Sequence, residues 1–448
     1  MLEKVKLSAN ILFSGIGCQE QGIKDTNLFD LNVICTSDIN KDSILTYAIL
    51  HCGLTKELIE TYQNYPDRQQ IIDELYNKNI GYNFKTNCCY NWKNVNDFEL
   101  HKYWLATKLS NNFGDISKIK ELPYADLWTV SFPCTNISLS GKMEGLDENS
   151  DTSSSLVWQQ IRLLKHSATK NELPKFIIFE NVKNLISSLF IHSFNLIISE
   201  LKILGYNCYY KVINSKDCGL PQNRERVYVL CIRNDIDNEK FEFPLSFDKN
   251  IRIVDILDKD ENSNENLIAA RYLPDTNKDK QVYNSHKLFP KLIPLYNKYI
   301  KQRPNEIIPL FHIKSNAIEN KILNEKLCQG NMIYDINGIS PTVTAQGGGL
   351  GKHSGLYFCY DNTNNCYVMR CLSGIENLRL MGIYLNDLQF ETVQNLNVSK
   401  YQLSFQAGNG IATNVIKLLF EHLYKALYDN AYVCEDEKLS KNRNRKLF

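Results

Sequence analysis

Short apolar runs alternate with stretches of helical spacing through roughly the first half of the chain. Runs at residues 9–13, 32–37, 125–132, 175–179, 208–213 and 226–232 read as strands, several of them apolar enough to be buried on both faces. Apolar residues at i, i+3 and i+4 predict helices over 155–166 and 191–204, with Gly205 placed to stop the second. Strand and helix alternating in this way predict an α/β fold, a doubly wound and mostly parallel sheet of the Rossmann-like kind with crossover helices. Residues 54–110 interrupt the alternation with helical segments, judged from Leu58, Ile59 and Tyr62 and from Ile71, Ile72, Leu75 and Tyr76, and read as an insertion. Beyond Phe243-Pro244 the texture turns polar and irregular until about Leu378, which predicts a second, smaller and irregular domain. Helical spacing returns over 411–427. The expected division is 1–240, 241–390, a returning segment at 391–430 and a frayed tail at 431–448.

Composition narrows the class. Of 448 residues 43% are hydrophobic and 23% charged, close to soluble globular averages. The longest apolar runs are too short to span a bilayer, and the first residues lack the apolar core of a secretory signal, so a cytoplasmic location is expected. Fourteen cysteines are scattered without Cys-x-x-Cys or His/Cys spacing, so no metal site is expected. Most should be reduced and buried, and Cys88-Cys89 carries no special reading. Net charge is only +1, but seven bases face one acid between Lys278 and Arg303, interleaved with Tyr283, His286, Phe289, Tyr296 and Tyr299. Phosphate-contacting surfaces have this make-up, and so does a solvated helix face.

Chemistry enters at the strand ends. The first candidate strand runs into Phe13-Ser14-Gly15-Ile16-Gly17, and Asp38 closes the second. A glycine turn followed by an acid that accepts ribose hydroxyls binds a nucleoside, whether a nicotinamide dinucleotide or S-adenosylmethionine. Gly114-Asp115-Ile116 offers another carboxylate, suited to an adenine amino group. Past the third strand come Ser131-Phe132-Pro133-Cys134-Thr135-Asn136-Ile137-Ser138, and neighbouring strand ends supply Glu180-Asn181-Val182 and Gln222-Asn223-Arg224-Glu225-Arg226. Carboxyl ends of parallel strands form the ligand crevice, so the Cys134 thiol should face a ligand. A thiolate adding to carbon 6 of cytosine makes carbon 5 nucleophilic only if charge on the ring is neutralised. That calls for a carboxylic acid at N3 and a cation near O2, which Glu180 and Arg226 can supply.

These blocks, with Arg370 to Gly382 and Gly408-Asn409-Gly410, resemble in residues and order the cytosine-5 DNA methyltransferases of bacterial or phage type. The resemblance implies S-adenosylmethionine as cofactor, held by Phe13, Gly15, Gly17, Asp38, Asp115, Pro133 and Asn409. It implies Cys134 as nucleophile, Glu180 at N3 and the cytosine amine, and Arg226 at O2 with Arg224 beside it. A target-recognition region is implied for residues 241–369, agreeing with the change of texture there. Ser138, Lys287, Lys291, Gly347, Gly348 and Gly349 are assigned to DNA contact, and Glu376 and Arg379 to the joint between the domains. Thr135, Asp38 and Gly410 stand where Gln, Glu and Ser or Ala are commonest.

The function so implied is methyl transfer from S-adenosylmethionine to carbon 5 of a cytosine flipped out of duplex DNA, through a covalent Cys134 adduct. The arginines near Cys134 should raise its thiolate fraction. A monomer is expected, in a restriction-modification system with a separately encoded endonuclease. A transfer-RNA cytosine methyltransferase would use the same set with a smaller recognition region. A silent DNA-binding relative should have lost Cys134, Glu180 or Arg226. A nicotinamide dehydrogenase would leave Cys134 and Arg226 idle.

Overall fold

The computed structural model describes residues 4–83, 86–134, 136–138, 146, 152–258, 285–312, 317–318, 329–346, 351, 353–361 and 366–433. Six strands form the main sheet: β1 (Val5–Leu12), β2 (Phe29–Ser37), β5 (Leu127–Val130), β6 (Phe176–Val182), β7 (Tyr206–Asn214) and β8 (Glu225–Arg233), in the order β2-β1-β5-β6-β8-β7. Pairings from β2 to β6 are parallel, whereas β8 runs antiparallel to both neighbours. Crossover helices therefore do not account for the whole sheet. Only Ser215–Arg224 separates β7 from β8, and so short a connection permits an antiparallel neighbour alone. The intervening β3 (Tyr82–Asn83) and β4 (Cys88–Cys89) make a small ladder of their own.

The strands are apolar on both faces because both are covered. In β6, Phe176 and Ile178 enter one core while Ile177 and Phe179 enter the other; in β8, Tyr228, Leu230 and Ile232 alternate likewise with Val227, Val229 and Cys231. Helices α6 (Val157–Thr169) and α7 (Ile191–Ile203) cover the second face. The first carries α1 (Cys18–Lys24), α2 (Lys41–His51) and the C-terminal helix Thr413–Tyr428. The segment read as an insertion holds α3 (Lys56–Thr61), α4 (Arg68–Asn77) and α5 (Asp97–Leu109), with α5 packed on α2.

Where the sequence looked irregular, a five-stranded sheet forms: β9 (Pro309–His312), β10 (Ala317–Ile318), β11 (Met332–Asp335), β12 (Leu356–Asp361) and β13 (Cys366–Arg370), in the order β10-β9-β11-β12-β13. These strands are two to six residues long, too short for period-two alternation to stand out against the surrounding Asn and Lys. The basic segment forms the helix Ser285–Gln302, which buries Leu292 and Tyr296.

A buried knot closes this region on itself. Glu376 is fully buried and accepts from Arg370 Nη1 and Nη2 (2.8 and 2.5 Å), Ser373 N (2.8 Å) and Asp258 N (2.9 Å). Arg379 pairs with Asp258 (2.6 Å) and donates to the Ile256 carbonyl (2.9 Å). Glu376 and Arg379 thus tie residues 256–258, where the region begins, to its last strand and the helix Gly374–Leu380. Burial pushes the Glu376 carboxyl up, but the Arg370 guanidinium and the donated N–H groups outweigh it and hold it below the usual range. A depressed carboxyl stabilises the fold above its unfolded-state pKa and loses that contribution as pH falls through the folded one. We expect Glu376→Gln, which leaves Arg370 buried and unpaired, to cost about 3–5 kcal/mol in urea unfolding at neutral pH. Its deficit should shrink at acid pH; a change below about 0.5 kcal/mol at neutral pH, the range of an ordinary surface substitution, would show the knot to be dispensable.

Candidate active site

Two loops at one edge of the main sheet define the site. After β1 the chain turns through Phe13 and Gly15, both at φ 52°, and Gly17 at φ 80°. A Cβ on Gly17 would lie 2.3 Å from His51 Nε2, so glycine is required by space as well as conformation. At Gly15 nothing lies within 4 Å, which leaves its Cα open. Asp38, following β2, accepts from Gly15 N (2.8 Å) and Asn40 N (2.7 Å). The acid therefore also fixes the glycine loop. Burial pushes its carboxyl up, opposed by those N–H groups.

The Gly15 side opens into a cleft lined by Phe13, Gly15, Gln19, Ser43, Gln406 and Asn409, among others. Gln19 bonds Ser131 Oγ (3.3 Å), linking this cleft to the nucleophile loop. Gln406 donates to Asp42 O (2.9 Å), and its buried Oε1 has no partner among the described residues. An open glycine edge, a carboxylate at the end of β2 and an unmatched buried amide oxygen fit an amino-acid nucleoside such as S-adenosylmethionine. Of the residues assigned to the cofactor, Phe13, Gly15 and Asn409 line the cleft itself. Gly17 supports its loop, Pro133 lies in the nucleophile loop, and Asp115 sits in the turn beside β2. Asp115 accepts from Ser117 N and Oγ (2.9 and 2.7 Å) and from Asn79 Nδ2 (2.7 Å). Gln19, Ser43 and Gln406 escaped sequence reading because an uncharged polar side chain on a helix has no spacing signal; Gln406 lies two residues before Gly408-Asn409-Gly410.

Cys134 lies four residues beyond β5, in a turn where its carbonyl accepts from Ile137 N (3.1 Å) and Ser138 N (2.9 Å). Side chains from neighbouring elements pin that turn: Asn181 to Phe132 O (3.1 Å), Asn184 to Ile137 O (2.7 Å) and Ser154 to Pro133 O (2.8 Å). On the sheet, Val182 faces Arg226, so Glu180, Arg226 and Tyr228 share one face. Glu180 Oε1 stands 3.2 Å from Arg226 Nε, yet makes no aligned hydrogen bond among the described residues. A buried carboxylate oxygen so placed is ready for a ligand's N–H. Burial pushes the Glu180 carboxyl up, only partly offset by Arg226 and Arg224. That favours the acid form which protonation at a ring nitrogen needs.

Arg224 is held largely by backbone. It is 3% exposed, and its guanidinium donates to the carbonyls of Val343 (3.2 Å), Gly408 (3.2 Å) and Gly410 (2.7 Å). Its Nη groups are committed to backbone, because the turn ahead of β8 must hold the returning segment, while its buried Nε has no partner among the described residues. Burial, then the like charge of Arg226, pulls it down to about 10, still charged at neutral pH.

The thiol departs from expectation. Burial pushes Cys134 up; Arg226 pulls it down, Glu180 pushes it further up and Arg224 pulls it down, with burial prevailing. The arginines moderate the shift without reversing it, because Glu180 cancels part of their field.

Of the DNA-contact assignments, Ser138 lies half-buried in the Cys134 turn and Lys291 is exposed on the helix Ser285–Gln302. The Lys287 side chain and Gly347, Gly348 and Gly349 lie outside the described residues, as does most of the loop after Ser138. Arg303 is ion-paired with Asp255, which removes it from the basic surface. Among the described residues no group of three or more His, Cys, Asp or Glu could hold a metal ion, and no helix is long and apolar enough to cross a membrane.

A nucleoside cleft beside a thiol, a carboxyl and a guanidinium on one sheet edge fits a nucleoside-dependent transferase. The chain belongs to the C-5 cytosine-specific DNA methylase family, whose model matches residues 77–425. It is therefore a DNA cytosine-5 methyltransferase that uses S-adenosylmethionine. It is 30% identical over 420 residues to the type II methyltransferase M2.ScrFI of Lactococcus lactis subsp. cremoris, covering 92% of this chain and 98% of that one. It is 26% identical over 321 residues to the type II methyltransferase M.HhaI of Haemophilus parahaemolyticus, covering 71% and 82%. Among solved structures, the methyltransferase EhMeth of Entamoeba histolytica shares the fold, with a TM-score of 0.53 at 17% identity over 95% of this chain and 100% of that chain.

With its pKa raised, Cys134 should be alkylated by iodoacetamide more slowly at neutral pH than a free cysteine, its rate still climbing where a free thiol's has levelled. Arg226→Gln should move that climb to higher pH still. Peptide-resolved mass spectrometry across a pH series reads this for Cys134 alone, and a midpoint at or below that of free cysteine would refute it.

Proposed function

We propose that the chain methylates carbon 5 of one cytosine within a specific duplex DNA sequence, with the cytosine turned out of the helix and Cys134 bonded to it during the reaction. The observation that carries this reading is the buried, unmatched Glu180 Oε1 beside Arg226, on the sheet edge that also presents the Cys134 turn. The Cys134 sulfur forms a bond to carbon 6. Glu180 as an acid donates to N3, and Arg226 holds O2, so that charge moved into the ring is neutralised. S-adenosylmethionine, when bound, would supply an electrophilic methyl group for carbon 5 and be left as S-adenosylhomocysteine. A base then takes the carbon 5 proton, the electron pair restores the ring double bond, the sulfur leaves as thiolate and N3 returns its proton to Glu180, which regenerates the enzyme.

Phe13, Gly15, Asp38 and Asn409 support cofactor binding in this reading, and Asp115 meets the adenine amino group. The second sheet and the helix Ser285–Gln302 with its exposed Lys291, Lys298 and Lys301, within the region assigned to residues 241–369, supply base recognition and phosphate contact; phosphate contacts position while base contacts specify. The enzyme acts as a monomer in the cytoplasm, within a restriction-modification system whose endonuclease is encoded separately. That last step rests on the type II names of its relatives.

Duplex DNA carrying 5-fluorocytosine at the target gives the test, since fluorine leaves no proton to remove and the adduct persists. A denaturation-resistant complex should form only with S-adenosylmethionine, and Cys134→Ser should form none, a hydroxyl being far less ionised than a thiol. Mapping of the DNA to another cysteine would overturn the mechanism. Exchange of residues 241–369 with a relative's should carry methylation to the relative's sequence, and an active chimera keeping the original site would remove recognition from that region.

A further inference from the structure

The segment between Asn77 and Gly81, at the end of α4, is wedged between the end of β2 and the Asp115 turn, both of which the cofactor reading uses. Gly81 N donates to Ile39 O (2.7 Å), just beyond Asp38. On the other side Asp115 N donates to Lys78 O (3.0 Å), Lys78 Nζ to Asn112 O (2.5 Å), and Lys118 Nζ to Asn77 O (3.1 Å) and Asn79 Oδ1 (2.7 Å). The fit is close. A Cβ on Gly114 would lie 2.2 Å from Lys78 O, and Asn79 takes a left-handed φ of 55° to present its side chain. That side chain donates from Nδ2 to Asp115 Oδ2 at 2.7 Å.

The hydrogen bonds around Asp115 divide its two oxygens. Oδ1 is filled by Ser117 N and Oγ, whereas Oδ2 has Asn79 as its one donor among the described residues. A carboxylate oxygen accepts two hydrogen bonds, so Oδ2 keeps one lone pair for a ligand. Asn79 is itself held through Oδ1 by Lys118, so it fixes the rotamer of Asp115 from a rigid base. Family resemblance assigns no role to these residues, and the 77–81 segment bonds to the turn that carries the carboxylate suited to an adenine amino group.

We propose that the 54–110 insertion builds one wall of the adenosine end of the cofactor site, with Asn79 as the positioning residue that aims Asp115 Oδ2 at the adenine amino group. This rests on the reading of Asp115 above. Positioning by Asn79 acts only on a ligand that carries that amino group. A purely structural role would weaken all nucleoside ligands alike.

Calorimetry of the full chain with S-adenosylhomocysteine and with its inosine counterpart, which has oxygen in place of the amino group, separates the two. The parent should prefer the adenosine ligand. Asp115→Ala should abolish the preference, and Asn79→Ala should cut it severalfold while leaving affinity for the inosine ligand within about twofold. Asn79→Asp, which sets a second carboxylate against Asp115, should cut it at least as far. Thermal unfolding of the unliganded variants checks that each is folded. If Asp115→Ala abolishes the preference and both folded Asn79 variants keep it, the role given to Asn79 is overturned while the cofactor reading stands. If Asp115→Ala itself keeps the preference, the reading of Asp115 falls and takes this inference with it. Loss of affinity for both ligands in equal measure would also overturn positioning, since it marks a structural wall alone.

Discussion

The architecture depends on one buried charge. Arg224 has its guanidinium sunk in the interior, and a cation there is tolerated only where acceptors converge on it. Its acceptors are carbonyls of Val343, Gly408 and Gly410, from two segments far apart in the chain. Gln222, two residues earlier, donates to Leu380 O (2.9 Å) and accepts from Val343 N (3.1 Å). A single turn ahead of β8 thus gathers the connection between β11 and β12, the end of the helix Gly374–Leu380 and the returning segment that lines the cofactor cleft. Removing the guanidinium would leave three buried carbonyls unmatched, so the register of the two segments that supply them hangs on it.

The catalytic cluster has the opposite character. Glu180 is buried with an unmatched oxygen, Cys134 has its thiol pushed up, and Gln406 Oε1 lies unpartnered beneath the cofactor cleft. The two oxygens, without hydrogen-bond partners among the described residues, cost stability in the free protein that a ligand's donors would offset. The sheet absorbs such costs because both of its faces are closed by apolar cores. Strain at the site and order around it belong to one arrangement.

How much of this was legible depends on length and chemistry. The six main strands were readable because both faces are apolar, but their ends were not: β1 starts at Val5, ahead of the run that begins at residue 9, since Val5 and Lys6 lie where the pairing with β2 and not apolarity sets the boundary. The reversed direction of β8 was invisible to a pattern that records burial and not direction. Short strands of the second sheet were lost among polar neighbours. At the site, Cys134, Glu180 and Arg226 were legible as charged or reactive side chains in ordered blocks, and the structure brings them to one edge. Arg224 reads identically in sequence, and only the structure shows its carbonyl partners. The uncharged Asn181, Asn184, Gln19 and Gln406 act through contacts across the chain that no local spacing reports.

The cofactor cleft is walled on one side by the turn after β1 and on the other by residues 406–411. Gly22 of α1 meets Thr413 and Ile416 of the last long helix so closely that an added Cβ would lie 2.6 Å from the Thr413 carbonyl. Helix α1 therefore waits for the helix Thr413–Tyr428, far along the chain, before its apolar face is covered. At synthesis rates of about 5–20 residues per second that wait lasts tens of seconds, during which half a ligand site and an uncovered sheet face are open to chaperones. Because residues 406–411 form one wall of the cleft, cofactor binding requires that segment in place and cannot assist the folding of the half that precedes it.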